Sequence, residues 1–307
     1  MGDVIHNLPV VTDIHSHIPD AQIDWVVEES FAGIPKLHPG VSEVIPVALR
    51  RWRKSLLSGT NYAEMRAFKQ RLQQTDYDLV LDTQGLIKSA LIAGFARGTR
   101  CGYDWGSARE PLASLRYQRK YHVAPTLHAV ERNRQLAAQA LGYASFTQVD
   151  YGIQAPALQL PWLPGHPYAV LLHATSRDDK LWPESRWVEM GQYFRQRGVK
   201  CVLPWGSNAE HQRSIRLQAM IAEAVVPPAQ RLDELAVLLA GARVVLGVDT
   251  GLSHLAAALK VPVVALYCGS DPALTGVYAS GVAINLGSAG NPPALTAVIG
   301  AVEQAVA

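Results

Sequence analysis

The sequence lacks most of the features that assign a protein to a class at sight. Its three cysteines, at 101, 201 and 268, are odd in number and far apart, without the close pairs that zinc sites and redox CxxC motifs require. They read as reduced thiols of a cytosolic protein. No Walker loop, GxGxxG, HExxH or GxSxG occurs, which excludes the best-marked nucleotide-binding, metalloprotease and hydrolase classes. Charge of one sign is missing too: 28 Lys and Arg stand against 26 Asp and Glu, a formal +2. No nucleic-acid partner is expected, and any anionic partner has to be met by a local patch rather than by bulk charge. The most apolar stretch, 235–267, is interrupted by Arg243, Asp249, His254 and Lys260, so no bilayer span is expected. The first six residues, MGDVIH, have neither a basic region nor an apolar core, and export is not expected.

What is present is apolar material and an alternation. With 307 residues, 49% hydrophobic and 18% charged, the chain is long enough for two domains. Short Val- and Ile-rich runs alternate with helix-length amphipathic segments, the α/β pattern. In the first half this predicts strands at 23–28, 43–48, 78–82 and 100–103, with helices at 4–17, 63–74, 86–96 and 128–141. Four prolines and two glycines between 150 and 167 suit an exposed linker. Beyond it the pattern predicts strands at 168–173, 199–204, 244–248 and 261–267 and helices at 183–197, 209–222, 232–239 and 251–259. The expected fold is two doubly wound α/β domains: an N-terminal domain over 1–152, a linker over 153–167 and a C-terminal domain over 168–307. Ligands in such folds collect at the carboxyl ends of strands, where loops enter helix N-termini.

Two strand ends carry suitable chemistry. The run VVLGVDTGLSH (244–254) is an apolar strand leading through Asp249, Thr250 and Gly251 into a helix, whose free amides and dipole suit an anion. Asp249 could accept hydrogen bonds from sugar hydroxyls, yet Asp249 and Thr250 are equally ordinary helix caps. The strand at 168 leads into ATSRDDKLWPE (174–184), which offers the hydroxyls of Thr175 and Ser176 and the cation of Lys180. That lysine suits a diphosphate or is a solvated loop residue. The pair Asp178-Asp179 has the residue types for a divalent ion but reads as solvated or structural.

In the first half Arg50, Arg51, Arg53 and Lys54 surround Trp52 after a strand. Guanidinium forks match carboxylates and phosphates, and an indole can cover a sugar face; a solvated basic loop is the alternative. Arg116, Arg119 and Lys120 form a second basic group. Asp3 stands just ahead of an amphipathic helix as an N-cap or a frayed end. His15 and His17, two apart, point to different helix faces and argue against a metal pair.

Together MGDVIHNLP, DWVVEE (24–29), RRWRK (50–54), DTQGLIKSA (82–90), AREPLASL (108–115), HAVERN (128–133), HATSRDDKLWPE (173–184), LPWGS (203–207) and VDTGLSHL (248–255) resemble the lipopolysaccharide heptosyltransferases, over the whole chain. RRWRK, AREPLASL and HATSRDDK resemble the heptosyltransferase I group in particular. The resemblance implies a GT-B glycosyltransferase, two Rossmann-like domains facing a cleft, with the acceptor held mainly by the first and the donor by the second. It implies inverting transfer of L-glycero-D-manno-heptose from ADP-heptose to the Kdo of Kdo2-lipid A, by an enzyme peripheral to the cytoplasmic face of the inner membrane. Carried over by position, Asp3 matches the general base and Lys180 the residue that meets the donor phosphates, with Thr175 and Ser176 beside it. Asp249, Thr250, Gly251 and His254 match the sugar and diphosphate pocket, and Glu210 an acid near the ribose. The acceptor falls to Arg50, Arg51, Arg53, Lys54 and Arg116.

Position 176 is Ser where the family pattern leads one to expect Thr. The family pattern also places about ten residues of strand ahead of the MGD turn, so the first strand of the N-terminal sheet is expected to be missing from this sequence. No cofactor and no essential metal are expected. The alternatives are a heptosyltransferase acting on another inner-core acceptor and, in a different class, a non-catalytic two-domain sugar-binding protein.

Overall fold

The computed structural model describes residues 1–54, 59–144, 148–165 and 167–307; His166 of the expected linker lies outside them. The chain divides into two compact units, His6–Thr147 and Gln148–Ala307, the latter joined by Met1–Ile5.

In the unit His6–Thr147, strands β1 (Asp24–Glu28) and β2 (Glu43–Val47) pair in parallel, Asp24 opposite Glu43. Strands β3 (Asp76–Asp82), β4 (Arg97–Tyr103) and β5 (Arg119–Tyr121) form a separate parallel sheet in that order. Among the described residues of this unit five strands are thus held in two sheets; the crossover from β3 to β4 carries the helix Ile87–Ala93, and those from β1 to β2 and from β4 to β5 carry only short 3-10 turns. The first helix differs from the expected 4–17 span: it is a single turn, Gly2–Ile5, then a helix Leu8–His17 with Pro9 in its first turn. Proline is tolerated there because its missing N–H would have had no helical partner. The helix Ala129–Leu141 starts where His128 Nδ1 accepts the Val130 amide at 3.2 Å and ends at Gly142, φ 79°. Its Arg134, fully buried, donates to both oxygens of Asp13 in Leu8–His17, at 2.7 and 3.2 Å. That forked pair locks the two helices in register.

The C-terminal unit is one five-stranded parallel sheet of β6 (Tyr168–Leu172), β7 (Lys200–Val202), β8 (Val244–Val248), β9 (Val263–Tyr267) and β10 (Ala283–Gly287). Their spatial order is β7-β6-β8-β9-β10. Strands β6, β8 and β9 are buried at every position, which is why they read as unbroken apolar runs. The chain runs outward from β6 to β7, then returns past β6 to β8, so the direction of winding reverses between β6 and β8. In open α/β sheets ligands bind outside the carboxyl ends of the strands at such a reversal. Composition alone misleads on one stretch: Tyr151 and Ile153, at the start of the Pro-rich segment, are buried, and Tyr151 donates to the Tyr278 carbonyl at 2.6 Å.

Candidate active site

The winding reversal places the loop after β6 beside the loop after β8. Thr175 Oγ1 donates to the Asp249 carbonyl at 3.1 Å, tying the two together. Residues Asp178–Lys180 form a tight helical turn closed by Lys180 N donating to Arg177 O at 3.2 Å. Trp182 anchors the loop's far end, its indole 1% exposed and donating to the Pro293 carbonyl at 3.1 Å. Held at both ends, the loop brings Lys180 Nζ to 2.6 Å from Asp249 Oδ2. A third loop, after β9, adds Ser270, whose Oγ donates to the same oxygen at 2.6 Å. His254 Nε2 lies 4.0 Å from Oδ1. Burial alone would raise the Asp249 pKa; the hydrogen bonds from Lys180 and Ser270 and the lysine's charge outweigh it and hold the carboxyl below its usual range.

This geometry decides between readings that the sequence leaves open. Lys180 is 19% exposed and paired, not a solvated loop lysine. Asp249 turns its carboxylate to Lys180 and Ser270, and the Thr250 side chain makes no capping bond to the helix Gly251–Ala258. The Thr250 side chain therefore satisfies none of the first-turn amides, which lie on the positive end of the helix dipole, and the Met1 side chain packs against Gly251, its Sδ 2.5 Å from where a Cβ would stand. That helix is seated close on β8: a Cβ at Gly247 would come within 2.4 Å of Ser253 Oγ, which donates to the Val248 carbonyl. The pair Asp178-Asp179 divides, since Arg177 Nε donates to Asp179 Oδ1 at 3.0 Å.

Asp3 is exposed on the turn Gly2–Ile5, which packs on the helix Gly251–Ala258; a Cβ at Gly2 would stand 3.7 Å from the His254 ring. Glu210 lies in the first turn of the helix Asn208–Met220 and accepts the Gly206 amide at 2.6 Å, while Ser207 Oγ accepts the Glu210 amide at 3.3 Å. One of its carboxylate oxygens is thus already at work holding the PWG turn. Ser176 is exposed beside Thr175.

The basic group of the other unit is divided by function. Arg51 donates to Glu29 and Glu64, both bonds of the Glu29 fork at 3.1 Å, and the Glu29 carboxylate above all raises its pKa. Trp52 is 6% exposed, packs edge-on against Phe68 and donates Nε1 to Glu64 at 2.8 Å. The expectation that it covers a sugar face is therefore overturned, because its rings are spent on the core. Arg50 lies over the Phe31 ring at 5.0 Å, and Arg53 and Lys54 are exposed. Arg116 is exposed on the turn Pro111–Arg116, against Gly94. Sequence reasoning misses Ser270. The only signal for it is its place just past the strand at 261–267, one hydroxyl among many at strand ends.

A strand order that reverses between β6 and β8, with a Lys–Asp pair and a helix start at that reversal, is the arrangement in which a doubly wound α/β sheet can hold an anionic ligand. Residues 65–298 match the family model described as glycosyltransferase family 9 (heptosyltransferase). The chain is 50% identical over 281 residues to lipopolysaccharide heptosyltransferase 1 of Escherichia coli K12, covering 91% of this chain and 88% of that protein. Its structure is similar to that of E. coli heptosyltransferase WaaC with ADP, TM-score 0.91 at 45% identity over 99% of this chain and 97% of the other. For WaaC with ADP-2-deoxy-2-fluoro heptose the TM-score is 0.89, at 45% identity over 99% and 96% of the two chains. The fold is GT-B, as the resemblance implied. The chain belongs to glycosyltransferase family 9 and is a heptosyltransferase.

Proposed function

We propose that this enzyme is a lipopolysaccharide heptosyltransferase I, moving L-glycero-D-manno-heptose from ADP-heptose to the Kdo of Kdo2-lipid A with inversion at the anomeric carbon. The observation that carries the donor half is the Lys180–Asp249 pair beside the uncapped start of Gly251–Ala258. In this reading the diphosphate takes Lys180 and the helix-start amides, with Thr175, Ser176 and Thr250 adding hydroxyl donors. Asp249 and His254 hold heptose hydroxyls, and Glu210 meets the ribose with the oxygen not used by Gly206. The WaaC structures with ADP and with an ADP-fluoroheptose support a donor of this kind.

The chemistry is a single displacement. Asp3 takes the proton from a Kdo hydroxyl as that oxygen attacks the anomeric carbon; the bond to the diphosphate breaks on the opposite face, and the electron pair leaves with ADP. Lys180 and the helix start carry the charge that develops on the β-phosphate, so no divalent ion is needed. Arg50, Arg53, Lys54 and Arg116 meet the acceptor's carboxylates and phosphates, with Arg51 bracing them through Glu29 and Glu64. The unit Gln148–Ala307 takes the donor and His6–Thr147 the acceptor, at the cytoplasmic face of the inner membrane. Among the described residues no helix is long and apolar enough to cross a membrane.

The test is incubation of ADP-heptose and Kdo2-lipid A with the enzyme in EDTA, followed by mass analysis of the lipid and determination of the anomeric configuration of the product. One added heptose with inverted configuration is expected. Product only with an already heptosylated acceptor would move the enzyme to another inner-core position.

A further inference from the structure

The unit His6–Thr147 carries an exposed apolar face. The helix Ile87–Ala93 and the turn Pro111–Arg116 lie side by side and run the same way. At one end the Ile87 amide donates to Glu110 Oε2 at 2.6 Å; at the other, a Cβ at Gly94 would stand 3.5 Å from the Arg116 guanidinium. Between these ends Ala90 and Ala113 pack with Tyr117 in one buried cluster. Small residues thus occupy the inner positions and large ones are left outside. Ile87, Leu91 and Phe95 recur every four residues along and just past the helix, and Leu112 and Leu115 stand three apart on a tight turn, where such residues eclipse. All five are between 38% and 64% exposed.

Single exposed leucines need no explanation, but five large apolar side chains on two adjoining elements do. The charge around them selects the partner. Residues 87–120 hold seven Lys and Arg against two Asp and Glu, a net +5 in a chain whose total is +2. Lys88 and Arg116 are exposed next to the apolar residues, Lys69 Nζ lies 5.6 Å over the Phe95 ring, and the Glu110 carboxylate is engaged by the Ile87 amide. Apolar side chains ringed by cations match a surface of negative headgroups over hydrocarbon.

We propose that this face, Ile87, Leu91, Phe95, Leu112 and Leu115 with Lys69 and Lys88 at its rim, docks the enzyme on an anionic lipid bilayer. The proposal rests on the reading that the acceptor is a membrane lipid, and it names the surface that meets that membrane. Leucines enter the headgroup boundary while the cations stay with the phosphates. Binding strength then depends on both anionic lipid and salt.

The experiment is flotation with vesicles of phosphatidylcholine holding about a quarter phosphatidylglycerol, and with pure phosphatidylcholine, for the whole chain and for Leu112→Ser/Leu115→Ser. The wild-type chain should float with the anionic vesicles only, and less as salt rises. The double variant should bind them about tenfold more weakly, with unchanged thermal melting and unchanged transfer to a deacylated, water-soluble acceptor. Equal vesicle binding by the two proteins, indifference to lipid charge, or a wild-type dimer that the double substitution dissociates would each overturn the proposal. Vesicle binding through these leucines by an enzyme inactive on the soluble acceptor would instead overturn the functional reading and leave the docking surface standing.

Discussion

Lys180 Nζ and Asp249 Oδ2 stand 2.6 Å apart across 69 residues of sequence, each on the loop that leaves a strand on one side of the winding reversal. With both side chains under one-fifth exposed, the pair is partly withdrawn from water, where charge–charge contacts are stronger than at the surface. Lys180→Ala should lower turnover by more than tenfold, corresponding to about 2 to 4 kcal/mol of lost stabilisation of the leaving phosphate. Single-turnover rates together with a circular dichroism spectrum check this, and near-wild-type turnover in a folded variant removes Lys180 from the mechanism.

Asp3→Ala should abolish transfer while ADP still binds. The carboxylate is exposed on a turn that packs on the helix Gly251–Ala258, whereas the donor-side contacts are made by Lys180, Asp249 and Ser270. Isothermal titration with ADP and product formation from the same preparation separate the two effects; parallel loss of both would assign Asp3 a structural role.

The basic segment should respond unevenly. Replacing exposed Arg53 and Lys54 with Gln is expected to weaken acceptor binding and flatten its dependence on salt, with ADP affinity and melting temperature unchanged. Arg51→Gln should lower the melting temperature, because it leaves Glu29 and Glu64 without the guanidinium that joins them. A fall in ADP affinity in the first variant would place these cations on the donor side.

Acid should weaken the C-terminal unit through His173. Burial, then the charge of Arg213, holds this imidazole at about 4, against about 6.5 when unfolded. A depressed folded value means that the unfolded chain takes up the proton first, so stability is fully present above about pH 6.5 and is lost as pH falls toward 4, by about 3 kcal/mol at most. His173→Gln should flatten that slope in denaturant melts across the same range. An unaltered slope would assign the acid sensitivity to other groups.

Elements buried on both faces are legible in the sequence. The strand at 244–248 coincides with β8, and the helices expected at 128–141 and 183–197 agree with Ala129–Leu141 and Glu184–Gln196 to one residue at each end. The strands that escape sequence reasoning, β5 and β10, are a three-residue strand and one with an exposed centre at the margins of their sheets. Such strands carry too few apolar residues for a period to register. The closing helix Leu295–Val306 is not among the expected elements either, and nothing in its helical pattern explains why.

By itself the sequence determined where the buried strands end, because burial on both faces demands apolar runs and polar residues gather in the loops that follow them. Asp249, Thr175 and Lys180 lie in those loops. Only the tertiary structure decided whom they meet. The order β7-β6-β8-β9-β10 puts Ser270 on the same oxygen as Lys180 and turns Asp249 away from capping its own helix. In the other unit it is again the tertiary packing that sends Trp52 into a core rather than toward a ligand. Periodicity is a local property, fixed by the pitch of a helix or the pleat of a strand. Partnership between residues 21 or 69 positions apart depends on how strands pair and where loops return, and no window of sequence contains that.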